Sequence, residues 1–283
     1  MKGLFSSIVH LGEVDDVLDY VRIVKNLYEG NFHFNPSTNS RHLFFRGHKC
    51  LEWELLPSVF RNEKLKKTEH DIILDAKQFA ATFGLNYDFE LGLPNVLIDM
   101  QHGELPTRMV DWSVEPLKAL YFCVEADCDK KEEGAVWIFN PWKYNNFVID
   151  YNIPQVHDAA ILARALLGYG WNNIYIQDYL NRHYSENAAS EVMRNIDLPV
   201  ALVGAFSNRR KIAQNGCFLI YGKDDIAFEN IPKSVDCLAY ITVKNKPIIK
   251  EQLNNLFINA FSVYPDFTGA KKQLERYGSF FKH

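Results

Sequence analysis

Several things are missing from this chain of 283 residues, and each absence removes a class of function. None of the five cysteines (Cys50, Cys123, Cys128, Cys217, Cys237) stands in a Cys-x-x-Cys pair, so a zinc knuckle or dithiol redox site is not expected. Reduced, mostly buried thiols are the plain reading. No apolar run approaches the roughly 18 residues of a membrane span, and the opening MKGLFSSIVHLGEVDD reaches its acids too soon for a secretory leader. A cytoplasmic chain with no membrane partner is expected. The net charge of −4 supplies no basic field, which leaves nucleic acid as an acceptor to be tested rather than one announced by composition. The dinucleotide fingerprint G-x-G-x-x-G, the P-loop, the G-x-S-x-G elbow and H-E-x-x-H are all absent. Oligomeric state leaves no trace in the sequence.

What is present is a periodic pattern that changes along the chain. Val14, Val17, Leu18, Val21, Val24 and Leu27 recur at helical spacing, giving a helix over 14–29 that stops at Gly30, within a helical N-terminal segment, 1–40. HLFFRG then reads as a strand ending at Arg46, with Gly47 letting a ligand or another backbone come close. Trp53 to Pro57 reads as a compact turn or short strand. Thr68 and Asp71 form a capping pair for a helix that runs through Phe83 to Gly84. Pro94 opens a helix ended by Gly103, and Ser113 caps another whose first turn holds Pro116. AVWIFN, PVALVGAF, IAQNGCFLIYG and VDCLAYITV read as strands, residues 155–198 as a mostly helical insertion, and stretches near 248–257 and 270–277 as helices. Strands and helices neither alternate strictly nor segregate, so the expected class is α+β, a mixed or antiparallel sheet flanked by helices.

Polar side chains concentrate in QHGELPTRMVDWSVEPLKALYFCVE, from Gln101 to Glu125, between a helix end and a helix start. His102, Thr107, Arg108, Asp111, Trp112 and Ser113 are the candidates there. Each has a structural alternative: Ser113 as an N-cap, Asp111 as the ion-pair partner of Arg108, Trp112 as core. Arg46, at a strand end beside a glycine, has the fork to hold a phosphate or carboxylate, or to pair with a structural carboxylate. Gln214 precedes a glycine in a strand-like run, the mark of a bulge or of close approach by a ligand. A metal-dependent nuclease or hydrolase built on His102 and Asp111 stays open as a third reading, although no metal site is expected.

These motifs resemble the FRG domain family, named for Phe-Arg-Gly, here Phe45 to Gly47. The W-x-L-x-P of Trp53 to Pro57, the block Gln101 to Phe122, AQNGCF at 213–218 and VYPDFTG at 263–269 follow in order, so the resemblance places such a domain over 41–283. Domains of this kind are found in bacterial and phage-defence settings. A more distant likeness is to the ADP-ribosyltransferases, whose Arg, Ser and Glu stand in this order on successive strands. It implies a sheet core of that type, with NAD as substrate and a protein or nucleic-acid acceptor. It also implies candidate catalytic residues Arg46, Asp111, Ser113 and Gln214, and nucleotide contacts from Arg46, Gly47, His102, Thr107, Arg108 and Trp112. Gln214 stands where that superfamily has its Glu, so Asp111 or Glu104 would have to supply the negative charge. The alternative is a nucleotide-binding or interaction module without turnover.

Overall fold

Seven runs of β-branched and aromatic residues pair into one sheet. In the computed structural model, which describes residues 7–29, 43–82, 93–125, 133–149, 198–203, 213–222 and 224–278, these are β1 (Val9–Val14), β2 (Phe44–His48), β3 (Met109–Ser113), β4 (Gly134–Phe139), β5 (Val200–Leu202), β6 (Gly216–Ile220) and β7 (Leu238–Val243). Their order is β1-β7-β4-β2-β3-β6-β5. Only β1 and β7 pair in parallel, so the sheet is mixed.

Helices cover both faces. Along β4, Ala135, Trp137 and Phe139 face one core, shared with α2 (Glu63–Ala81), α3 (Leu93–His102) and α5 (Pro141–Ile149). Val136 and Ile138 face the other, shared with α1 (Val17–Tyr28), α4 (Pro116–Val124), α6 (Lys246–Asn255) and α7 (Ala260–Val263). This alternation is the period of two of a strand whose faces are both covered, and every residue of β4 is buried. The last helix, α8 (Phe267–Tyr277), packs on α7.

One irregularity of the sheet opens the site. β2 pairs with β4 at five positions and β3 pairs with β6 at five, yet β2 and β3 meet at the single pair Phe45 and Ser113. Past that pair the two strands part, and Arg46 to His48 and Asp111 to Ser113 line a cavity of about 440 Å³.

The structure bears out the α+β class with its mixed sheet, and corrects several boundaries. β1 adds a strand to the N-terminal stretch read as helical, and α1 begins only at Val17, where the Asp16 carboxylate accepts the Asp19 N–H at 2.8 Å. α2 begins at Glu63 rather than at Thr68, because Asn62 Oδ1 accepts from Lys64 N (2.9 Å) and Leu65 N (3.4 Å). Thr68 lies inside that helix and donates its hydroxyl to the Lys64 carbonyl. After α3 the residue with positive φ is Glu104 (60°), not Gly103. Ser113 closes β3, and α4 has no side-chain cap. Neither α5 nor α7 was expected. The stops at Gly30 and Gly84, and the insertion over 155–198 apart from Leu198, lie outside the described residues. No disulfide joins Cys50, Cys123, Cys217 and Cys237, and no described helix is long and apolar enough to cross a membrane.

Candidate functional site

Arg46 crosses the gap between the parted strands. Its Nη1 donates to the Asp111 carbonyl at 2.5 Å and its Nε to His48 Nε2 at 3.0 Å. His48, 2% exposed, has its Nδ1 3.1 Å from the Trp53 carbonyl. A carbonyl can only accept, so Nδ1 carries the proton and Nε2 keeps the lone pair that receives Arg46. Burial, reinforced by the charge of Arg46, holds His48 well below the usual imidazole range, and the ring stays neutral. Burial also lowers the Arg46 pKa, with Asp111 acting in the opposite sense. The guanidinium is thus fixed by a neutral ring and a peptide oxygen. It makes no ion pair among the described residues, and its Nη2 takes no partner there.

Asp111 lines the same cavity, and its Oδ2 accepts from Gln101 Nε2 at 2.7 Å. Gln101 is oriented in turn by Thr107, whose hydroxyl donates to Gln101 Oε1 and accepts the Met109 N–H at 3.2 Å. Thr107 is wholly buried and acts through Gln101 and not at the cavity wall. Ser113 donates to the Gln214 carbonyl at 2.7 Å and accepts the Glu115 N–H at 3.0 Å, closing a turn between β3 and α4. Gln214 also lines the cavity, with its amide donating to the Val263 carbonyl at 3.3 Å. The positive φ beside it falls on Asn215 (44°), while Gly216 simply pairs with Ser113.

The other candidates are placed differently. Arg108 points away from the cavity: Nε and Nη2 hold both oxygens of Glu69, Nη1 donates to the Gly222 carbonyl at 3.1 Å, and the Phe60 ring lies 5.8 Å from its guanidinium carbon. The structure thus places Arg108 in an ion pair with Glu69 and does not bring it to the cavity as a ligand contact. Asp111 is not its ion-pair partner. At Gly47 the close neighbour is the protein's own helix α4, since a Cβ there would run into the Ala119 carbonyl oxygen and lie 2.5 Å from Cys123 N. Trp112 borders the cavity but is 3% exposed and packs on Phe139 with ring centres 5.3 Å apart, so it offers a ligand little of its face. His102 ends α3, and its side chain lies outside the described residues. Among the described residues no cluster of three or more His, Cys, Asp or Glu is arranged to hold a metal.

Arg61, Glu125 and Tyr264 are among the lining residues that the sequence reading did not single out. Arg61, in the 3-10 turn Ser58–Arg61, donates from Nε (2.9 Å) and Nη2 (2.7 Å) to the Leu56 carbonyl. Glu125, beyond α4, accepts from Tyr264 at 3.0 Å and Lys272 at 2.5 Å. Tyr264 belongs to the VYPDFTG motif and Arg61 follows W-x-L-x-P, so both sat next to stretches already marked, without a pattern of their own.

Residues 41–132 match the family described as the FRG domain. No curated protein and no solved structure matches the chain. The match ends before Gln214 and Tyr264, yet the fold brings both to the cavity that Arg46 lines.

Proposed function

We propose that this chain, which carries an FRG domain, is an ADP-ribosyltransferase-like enzyme that binds NAD or a related nucleotide and transfers or releases ADP-ribose. One observation carries the reading: a half-buried guanidinium that forms no ion pair among the described residues stands at the wall of a cavity that Asp111, Ser113 and Gln214 also line. Arginine keeps its charge at any physiological pH, and buried charge is costly unless compensated. An anionic ligand supplies that compensation. A cavity of about 440 Å³ lies within the roughly 300–1,000 Å³ of small-molecule sites.

In this reading the sheet is a core of the ADP-ribosyltransferase type, and Arg46 holds a phosphate oxygen of the diphosphate. NAD brings a nicotinamide leaving group and an electrophilic ribose carbon. Asp111, kept in place by Gln101, supplies the negative charge that Gln214 lacks, and Glu104 stands at the same wall. The acceptor is a protein or a nucleic acid, or water in simple release, and the setting is bacterial or phage defence in the cytoplasm.

Nicotinamide release from NAD by the purified protein, followed by chromatography, tests this. Arg46→Ala should abolish release, and Asp111→Asn should slow it by about two to three powers of ten while NAD still binds. Failure of the wild-type protein to bind NAD would remove the reading. A second reading, a nucleotide-binding module without turnover, draws on the Ser113 hydroxyl and Gln214 amide, both already spent on backbone carbonyls. It predicts NAD binding with no nicotinamide released in the presence of any acceptor.

A further inference from the structure

Arg61 shares with Arg46 a feature that separates the two from Arg22 and Arg108, both of which form ion pairs. Arg46 is held by a carbonyl oxygen and a neutral imidazole, and Arg61 by a carbonyl oxygen alone. Neither forms an ion pair among the described residues, so both keep their full charge toward the cavity they line. In each fork one terminal nitrogen anchors the side chain and the other takes no partner among the described residues: Nη2 of Arg46 and Nη1 of Arg61. Two donors on the Leu56 carbonyl lock the Arg61 fork before any ligand arrives, which lowers the ordering cost of binding.

The cations are close enough that Arg61 contributes to lowering the pKa of both Arg46 and His48. Two like charges facing one space repel, Asp111 offsets part of that repulsion at Arg46, and further negative charge entering between the two cations relieves more of it. Three acids stand at the same wall, Asp111, Glu104 and Glu125, and two of them accept from other groups. Asp111 accepts from Gln101, and Glu125 is taken by Tyr264 and Lys272.

We infer that Arg46 and Arg61 together form a two-pronged site for a diphosphate, with Arg61 setting the preference for two linked phosphoryl groups over one. This rests on the reading of the cavity as a nucleotide site and names the part of the nucleotide it grips. One guanidinium can hold one phosphoryl group in two places, and a diphosphate spans two.

The test uses the full chain with inorganic pyrophosphate and inorganic orthophosphate as probes, measured by titration calorimetry at fixed ionic strength. Wild-type protein should bind pyrophosphate at least about tenfold more tightly than orthophosphate, the worth of one added charge-assisted contact. Arg61→Gln should lose about that factor for pyrophosphate and change orthophosphate little, so that the preference disappears. Arg61→Lys, which keeps the charge without the fork, should fall between. Equal affinity for the two anions in the wild type, or Arg61→Gln with the wild-type preference, overturns the inference. The wild-type comparison stands even if a variant fails to fold.

The same variants separate this inference from the functional reading. If NAD is neither bound nor consumed while pyrophosphate binding depends on Arg61, the transferase reading falls and the diphosphate site stands. If NAD turnover is intact in Arg61→Gln with unchanged affinity, the diphosphate site falls and the transferase reading stands.

Discussion

Arg46 on β2 and Arg108 just before β3 stand on neighbouring strands, and their surroundings could hardly differ more. Arg108, extending from the start of β3 toward α2, meets a carboxylate with two of its nitrogens and a carbonyl with the third. Its partner Glu69 is 6% exposed, so the pair is a buried, bidentate ion pair with its charge closed within the protein. Arg46 is just as firmly placed, yet its hydrogen-bond partners among the described residues are neutral. Both stand in motifs of the chain. What separates a structural arginine from one that awaits a ligand is therefore the charge of its partners, and no pattern of neighbours in sequence states that.

The largest expected effect tests the structural half of this contrast. Arg108→Met leaves the Glu69 carboxylate buried without its cation, which should cost about 3 to 5 kcal/mol in a urea or guanidinium unfolding experiment. Replacing both partners with apolar residues of similar size should recover much of that loss, since the desolvation of two charges is avoided as well. An Arg108→Met protein as stable as wild type would mean that the pair does not hold β3 to α2, and the contrast with Arg46 would lose one side.

Glu229 shows how a buried acid meets the same problem that Arg46 faces. It is 5% exposed, pairs with no cation among the described residues, and accepts the Leu55 N–H at 3.0 Å. Burial pushes its carboxyl up from 4.5 to about 7. Because the folded value is the higher one, the native state holds this proton more tightly than the unfolded chain does. The resulting stabilisation is complete below about pH 4.5 and is lost as pH rises through about 7. That interval corresponds to about 3 kcal/mol. Glu229→Gln, which keeps an acceptor for Leu55 N–H and cannot ionise, should match wild type near pH 4.5 and exceed it by about that amount near pH 8. Equal pH dependence of unfolding in the two proteins would show that Glu229 ionises freely in the fold. Glu229 escapes its burial by keeping a proton, a route closed to a guanidinium.

Much of this was readable from the residues, and what was not has a common cause. The consecutive apolar and aromatic residues of HLFFRG and AVWIFN placed β2 and β4, because strands buried on both faces need apolar residues at successive positions. Arg46, Asp111, Ser113 and Gln214 were chosen together and do line one cavity. The role of Arg108 was not readable, since Glu69 stands 39 residues away on α2. Ser113 looked like an N-cap because a Pro follows at the first turn of α4, but the hydroxyl is drawn to the Gln214 carbonyl, about a hundred residues on. Gly47 carried a correct signal with the wrong object, as the close approach is that of α4. β1 was missed because VHLGEV alternates poorly and its parallel partner β7 comes from the far end of the chain. In each case the deciding partner is remote in sequence.

The smallest expected effect on stability is also the sharpest test of the contrast. Arg46→Met removes the donors to the Asp111 carbonyl and to His48 Nε2, a loss of about 1 kcal/mol for each hydrogen bond. It also removes a half-buried cation that forms no ion pair among the described residues, and that relief acts in the opposite direction. The net change in unfolding free energy should stay within about 1 kcal/mol, well below the cost at Arg108, while binding of pyrophosphate is lost. His48, freed from the neighbouring charge, should titrate at higher pH than in the wild type, although burial still holds it low. Its ring resonances followed by NMR against pH would report this directly. A loss of stability as large as that at Arg108 would place Arg46 among the groups that hold the sheet together, and the ligand-facing role would then have no physical basis.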